Sequence, residues 1–181
     1  SPTSNLLLYG ETVDVKAFLE SGIEWGLGSD WSPSGTKNIL GEMKVAWLAA
    51  KNASAELSFR TLAEAVTARA ADIVGWGGKL GRIRAGCGAD LLVLRERVRD
   101  PYENLVRAIE SDVLLVTIEG IPRFGDEALM RAAGILGELE PCTVAGRERL
   151  LYAHHPDAFE DVNKLSLAEV TRRLKEGMSD L

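Results

Sequence analysis

Apolar residues recur along the chain in two rhythms, and the change from one to the other organises it. Val15, Phe18 and Leu19 fall at helical spacing and Gly22 follows where a helix end favours glycine, which predicts a short helix over 13–21. Ile23, Trp25 and Leu27 then alternate as a strand would over Ile23–Gly28. The turn-rich stretch Ser29-Asp30-Trp31-Ser32-Pro33-Ser34-Gly35 separates that strand from a second helical pattern at Ile39, Leu40, Met43, Ala46, Trp47 and Ala50. A further helix is expected near Ser58, with Thr61 and Glu64 as a capping box, running to about Val74. Gly75, Gly77, Gly78, Gly81, Gly86 and Gly88 then punctuate a switch to β character.

Leu91–Leu94 and Val113–Ile118 read as strands, and Glu119-Gly120 as a hairpin turn into Ile121–Phe124, which Pro122 marks as an edge strand. A helix over 127–133, two short strands about Gly146 and a C-terminal helix capped by Ser166 and Glu169 complete the pattern. We expect two lobes, 1–77 with mixed α and β elements and 78–181 mostly β with trailing helices.

Composition narrows the function classes. Of 181 residues, 46% are hydrophobic and 27% charged, ordinary globular values that exclude a disordered, collagen-like or coiled-coil protein. The net charge of −6 provides no basic field for nucleic acid or an anionic membrane, so neither is expected as a partner. No apolar run approaches the ~20 residues of a membrane helix. Cys87 and Cys142 stand far apart, which fits neither a disulfide framework nor a cysteine zinc site and points to a reducing, cytoplasmic setting. The histidines are only two, the adjacent His154 and His155, so this chain alone cannot build a histidine-rich metal site. The opening Ser1-Pro2-Thr3-Ser4-Asn5 runs at once into Leu6-Leu7-Leu8, as an entry halfway into a fold or a processed N-terminus would.

The chief candidate for chemistry is Asp30. An aspartate at the carboxyl end of a strand, before a loop and a helix, stands where α/β barrels and open α/β sheets place functional groups. It has two readings from position alone: a cap for the following turn, which is the commoner use, or a carboxylate that binds a cation and moves a proton.

Several motifs in order add a resemblance. Gly28-Ser29-Asp30-Trp31-Ser32-Pro33-Ser34-Gly35, followed by Lys37-Asn38-Ile39-Leu40-Gly41-Glu42-Met43-Lys44-Val45-Ala46, resembles the last barrel strand and loop of the metal-dependent amidohydrolase superfamily. The nearest branch is the cytosine deaminase, guanine deaminase and triazine chlorohydrolase group. Ser1 to Leu6 with Leu8-Tyr9-Gly10 is similar to that branch's loop after the seventh strand. Ala65 to Ala71 resembles its following helix, and Lys79 to Ile83 with Gly86 and Ala89 to Leu94 the return into a small β-sandwich. The similarity covers about residues 1–125.

The resemblance implies an α/β fold: the C-terminal fragment of a (β/α)8 barrel plus part of a β-sandwich lobe. It implies hydrolysis of C–N or related bonds in a small-molecule substrate, with a divalent metal, zinc or iron, in the full-length protein. Asp30 falls on the family's last-strand aspartate, a metal ligand that also shuttles the proton. Asn5 and Trp31 fall on loops that border the substrate. The family's histidines belong to earlier strands, and His154 and His155 cannot supply them. The isolated chain is therefore expected to bind no catalytic metal and to turn nothing over. The alternative is a non-catalytic scaffold or assembly module of the same superfamily. A broken barrel exposes strand edges and apolar faces, so self-association into a homo-oligomer is also expected.

Other signals carry less. Gly75 to Gly81 lacks the glycine and the Ser or Thr that a phosphate loop requires. Arg95, Arg97, Arg99, Arg107 and Arg123 are interleaved with acids as a solvated surface. Cys87 reads as a small turn residue, and Asp90 as closing a turn before a strand.

Overall fold

The computed structural model describes residues 1–31, 33–135, 137–153 and 165–179, so His154 and His155 lie outside the described residues. The chain divides into two compact units, Ser1–Ala89 with Leu94–Asp112, and Asp90–Val93 with Val113 onward. The division comes after the stretch 78–89, beyond the expected 77/78, because that stretch is tied to the first unit. Arg82 grips Asp72 with both terminal nitrogens, at 2.9 and 2.6 Å, and the N–H groups of Lys79 and Leu80 donate to the Trp76 carbonyl at 2.8 and 2.9 Å.

The first unit is helical: α1 (Pro2–Tyr9), α2 (Val15–Glu20), α3 (Ile39–Asn52), α4 (Phe59–Val66), α5 (Ala68–Ile73), α6 (Pro101–Arg107) and a 3₁₀ turn, Glu110–Asp112. Its core is the apolar stripe of α3 against α1, α4 and α6, with Leu40, Met43, Ala50, Leu62, Ala65 and Val106 buried. Local chemistry sets the helix starts. Asn38 Oδ1 accepts from the Leu40 N–H and Ser58 Oγ from the Thr61 N–H, each satisfying a donor that the first turn leaves without an intrahelical partner. Ser58 is thus the cap itself, and Glu64 turns instead to Arg60 and Arg69. Lys44 Nζ reaches across from α3 to the Ala108 carbonyl beyond α6.

Two expectations fail in this unit. The helix thought to run from Ser58 to Val74 breaks at Thr67 (φ −130°, ψ −98°) into α4 and α5. The break leaves carbonyls at the end of α4, and they find partners elsewhere: Thr67 Oγ1 donates to Ala63 O at 2.7 Å and Leu27 N to Ala65 O at 3.0 Å. The strand expected over Ile23–Gly28 is not formed. Its alternation survives in part, with Trp25 and Leu27 half-buried and Phe18 5.8 Å from Trp25, ring to ring. A strand, however, is defined by a ladder with a neighbouring strand, and the segment's backbone anchor is the end of a helix.

The second unit is a five-stranded sheet in the order β1-β2-β3-β5-β4, from β1 (Leu91–Leu94), β2 (Val113–Ile118), β3 (Ile121–Gly125), β4 (Glu140–Val144) and β5 (Arg147–Leu151). The pairs β2–β3, β3–β5 and β4–β5 are antiparallel. The β2–β3 hairpin closes on Glu119 and Gly120, both at positive φ (53° and 78°), as a two-residue turn with the right twist demands. The Glu119 N–H donates to Asp90 Oδ1 at 2.7 Å, which makes Asp90 a structural acceptor, as its sequence context indicates. Pro122 does not mark an edge, because β3 lies between β2 and β5. It is tolerated because β5 pairs only with Phe124 and Gly125 further along, and because the β2–β3 register shifts between Val116 and Thr117.

Among the described residues two helices accompany the sheet, α7 (Glu127–Ala132) and α8 (Leu167–Ser179). Ser166 caps α8 by accepting from the Glu169 N–H, while the Glu169 carboxylate, held down to about 2 by Arg172 and Arg173, braces the exposed face. Arg149, 5% exposed, joins β5 to the entry of α7 by pairing with Asp126 at 2.6 Å and donating to the Val113 carbonyl at 3.2 Å. Removing one partner of such a pair strands the other's charge. Arg149→Ala should lower the unfolding free energy by roughly 2–3 kcal/mol in denaturant titration with an unchanged slope, and a loss under ~0.5 kcal/mol would remove the assigned role.

Candidate functional site

Asp30 is exposed, and two hydrogen bonds orient its carboxylate. The Ser4 hydroxyl, on buried α1 surface, donates to Asp30 Oδ2 at 2.7 Å, and the Trp31 backbone N–H donates to Oδ1 at 2.8 Å. Ser4 Oγ is also hydrogen-bonded to the buried Ser34 Oγ at 3.1 Å. A hydroxyl has one proton, so with that of Ser4 committed to the carboxylate, Ser34 is left to donate. The chain after Asp30 doubles back: the N–H groups of Ser34 and Gly35 both donate to the Trp31 carbonyl, at 3.2 and 2.8 Å. A side chain at Gly35 would come within 3.1 Å of the Asp30 backbone, so a larger residue there would press the loop open by a few tenths of an ångström.

The same contacts set the charge. Hydrogen bonds, first from the Ser4 hydroxyl and then from the Trp31 N–H, hold the Asp30 carboxyl below its ordinary 3.8. It is ionised at neutral pH. Two of its roughly four acceptor directions are in use, and the others face solvent, open to a cation or a proton.

A further carboxylate lies beneath. Glu42, fully buried on α3, accepts at Oε2 from the Thr3 N–H (3.2 Å) and at Oε1 from the Thr36 N–H (3.1 Å), and the Thr36 hydroxyl, 2.9 Å from Oε1, shares its one proton between that oxygen and the Asn38 carbonyl at 2.8 Å. Burial raises its pKa, but these donors, Thr36 first, outweigh it and leave the carboxyl below its ordinary 4.5.

Of the residues singled out in the sequence, the fold brings Asp30 and Trp31 together and places Asn5 elsewhere. Trp31 is 66% exposed beside the carboxylate. Asn5 is half-buried on α1, next to Ser4 in sequence but on another side of the helix, where it lines an apolar cavity of about 150 Å³ with Val15, Phe18, Trp25 and Ala46. Sequence reasoning missed Ser4, Ser34 and Glu42. A signal existed for Glu42, which sits three residues after Ile39 and four before Ala46 within the apolar stripe of α3. Nothing in the pattern marks Ser4. Among the described residues no three His, Cys, Asp or Glu side chains gather, and Asp30 is a single donor where zinc takes at least three protein ligands.

Residues 1–121 match the amidohydrolase family. The chain belongs to that family. It is 31% identical over 131 residues, 66% of its length, to 5-methylthioadenosine/S-adenosylhomocysteine deaminases of Acetivibrio thermocellus and Syntrophobacter fumaroxidans. It spans 30% of the length of each. Among solved structures it is similar to an adenosine deaminase from Xanthomonas campestris with bound zinc, at 25% identity and a TM-score of 0.61 over 72% of this chain and 34% of that one. The fold is also that of E. coli guanine deaminase, at 19% identity and a TM-score of 0.59 over 67% and 32% of the two chains. The family and the zinc-bound neighbour imply a (β/α)8 barrel fold, and the described chain is α/β with a largely antiparallel sheet.

The Ser4 contact makes a prediction for this amidohydrolase-family chain. The bonds to ionised Asp30 act above pH 3.8, the ordinary value, and are lost as the pH falls through the lower folded value. Ser4→Ala should move the Asp30 titration upward toward 3.8, read from its carboxyl carbon by NMR, and an unmoved midpoint would mean that Ser4 does not tune the charge.

Proposed function

We propose that this chain is the C-terminal portion of a metal-dependent hydrolase acting on non-peptide carbon–nitrogen bonds, specifically a deaminase of amino-substituted N-heterocycles. The observation that carries the reading is an ionised, solvent-facing Asp30 held by Ser4 and Trp31 within the Gly-Ser-Asp-Trp stretch of an amidohydrolase-family chain. The relatives named as 5-methylthioadenosine/S-adenosylhomocysteine deaminase and adenosine deaminase support the substrate class, a purine carrying an exocyclic amine.

In such a reaction water adds to the carbon that bears the amine, the C–N bond breaks and ammonia leaves. Asp30 takes the proton that the attacking water releases and returns it to the departing nitrogen, and its remaining lone pairs are oriented for this because Ser4 and Trp31 occupy the other two. The exposed indole of Trp31 offers a flat apolar face for the heterocycle. When bound, a divalent metal, zinc or iron, makes water acidic and polarises the reacting carbon, and Asp30 would be its ligand from this chain. The other ligands would come from outside the described residues, so the 181 residues alone are proposed to be inactive.

The test is Asp30→Asn in a catalytically complete enzyme carrying these residues. Ammonia release from adenosine or S-adenosylhomocysteine should fall by ~10²-fold or more in kcat/KM, the usual contribution of a positioned acid–base group. Unchanged kcat/KM would reject the role given to Asp30.

No helix among the described residues is long and apolar enough to cross a membrane. The exposed Leu7, Tyr9, Trp76 and Ile83, the last 93% accessible, support the proposal that this chain self-associates. Light scattering at ~100 μM should report a dimer or larger species, and a monodisperse monomer would refute it.

A further inference from the structure

Four residues, Thr3, Ser4, Ser29 and Thr36, connect the Asp30 carboxylate to a group that no aspect of the hydrolytic reading uses. Glu42 holds Thr3 with one oxygen and Thr36 with the other. Thr3 is the neighbour of Ser4, whose hydroxyl bonds Asp30 Oδ2. The Thr36 carbonyl in turn accepts from the Ser29 hydroxyl at 2.8 Å, and Ser29 is the neighbour of Asp30 on its other side. Two arms therefore leave one buried carboxylate and close on Asp30 from α1 and from the loop that carries it.

The seat of this clamp is tightly built. A Cβ at Gly41 would lie 2.7 Å from Thr36 Cβ and Cγ2, so Thr36 takes its position only because residue 41 has no side chain. All of Glu42's partners are neutral donors. Burying an ionised group without a countercharge costs several kcal/mol that an apolar residue of similar size would avoid, and the three donors only offset it. Packing of α3 alone would be served by a methionine or leucine at this place. A buried acceptor with two oxygens does what those residues cannot, which is to fix two separate backbone segments relative to each other.

We infer that Glu42 is a positioning residue, which sets Ser4 against Asp30 by clamping the segments on either side of it. Its catalytic consequence rests on the reading of Asp30 given above, but the geometry can be tested without substrate. The readout is the backbone amide resonance of Trp31, whose N–H donates to Asp30 Oδ1, recorded at neutral pH in the 181-residue chain.

Ser4→Ala defines the shift that follows loss of the Ser4–Asp30 bond. Glu42→Leu should move the Trp31 resonance in the same direction and at least half as far. Glu42→Gln, which keeps one oxygen acceptor, should move it less. The double variant Ser4→Ala/Glu42→Leu should shift no further than Ser4→Ala alone, since both changes break one chain of contacts. Thr36→Val, which withdraws one donor and leaves the carboxylate, should act like Glu42→Gln and provides the answer should Glu42→Leu fail to fold. A lowered melting temperature with an unmoved Trp31 resonance in Glu42→Gln and Thr36→Val, or shifts that add in the double variant, would overturn the inference. The two readings fail separately. An unmoved Trp31 with an activity-dead Asp30→Asn enzyme sinks the clamp alone, and a responsive Trp31 with an indifferent Asp30→Asn enzyme sinks only the catalytic assignment.

Discussion

The geometry around Asp30 depends on satisfying one buried negative charge. Glu42 is removed from water completely, at a cost that hydrogen bonding to Thr3 and Thr36 must offset. Those donors belong to segments far apart in sequence, so satisfying the charge and fixing the segments are the same event. Ser4 and Ser29 inherit their places from it, and Asp30 inherits its own from them. An exposed acidic group on a loop would ordinarily sample many orientations; here the burial lies one layer down, and the surface group is ordered by it.

Much of the fold was legible because its determinants are local. Asn38, Ser58 and Ser166 each satisfy a helix N-terminus with their own side chain, and the Glu119-Gly120 and Ala145-Gly146 turns need only the positive φ that their backbone adopts. What failed was non-local. Alternation at Ile23, Trp25 and Leu27 reports which side of the chain is buried, but a strand also requires a partner ladder, and the partner that Leu27 finds is a helix carbonyl. Pro122 carries a genuine prohibition on donating, yet where the neighbouring strand ends decides whether that prohibition matters, and β5 stops short of it.

The site divides in the same way. Asp30 stood out through the order of residues around it, while the expected means of presenting it, a strand end, is absent. A serine on α1 and a closed loop present it instead. Ser4 had no signal, because a serine near a helix start is commonplace and its partner lies 26 residues away. Asn5, one position later, points into an apolar cavity, since consecutive residues on a helix face about 100° apart.

The interruption at Thr67 has a consequence for the approach to Asp30. In an unbroken helix the Ala65 carbonyl would be spent on the amide four residues ahead, and the backbone of Leu27 would find nothing to grasp. By stopping one helix and restarting another, the chain liberates a single oxygen at its flank, and the stretch that delivers the acidic residue is moored there. A defect in one element has become the landing point of another.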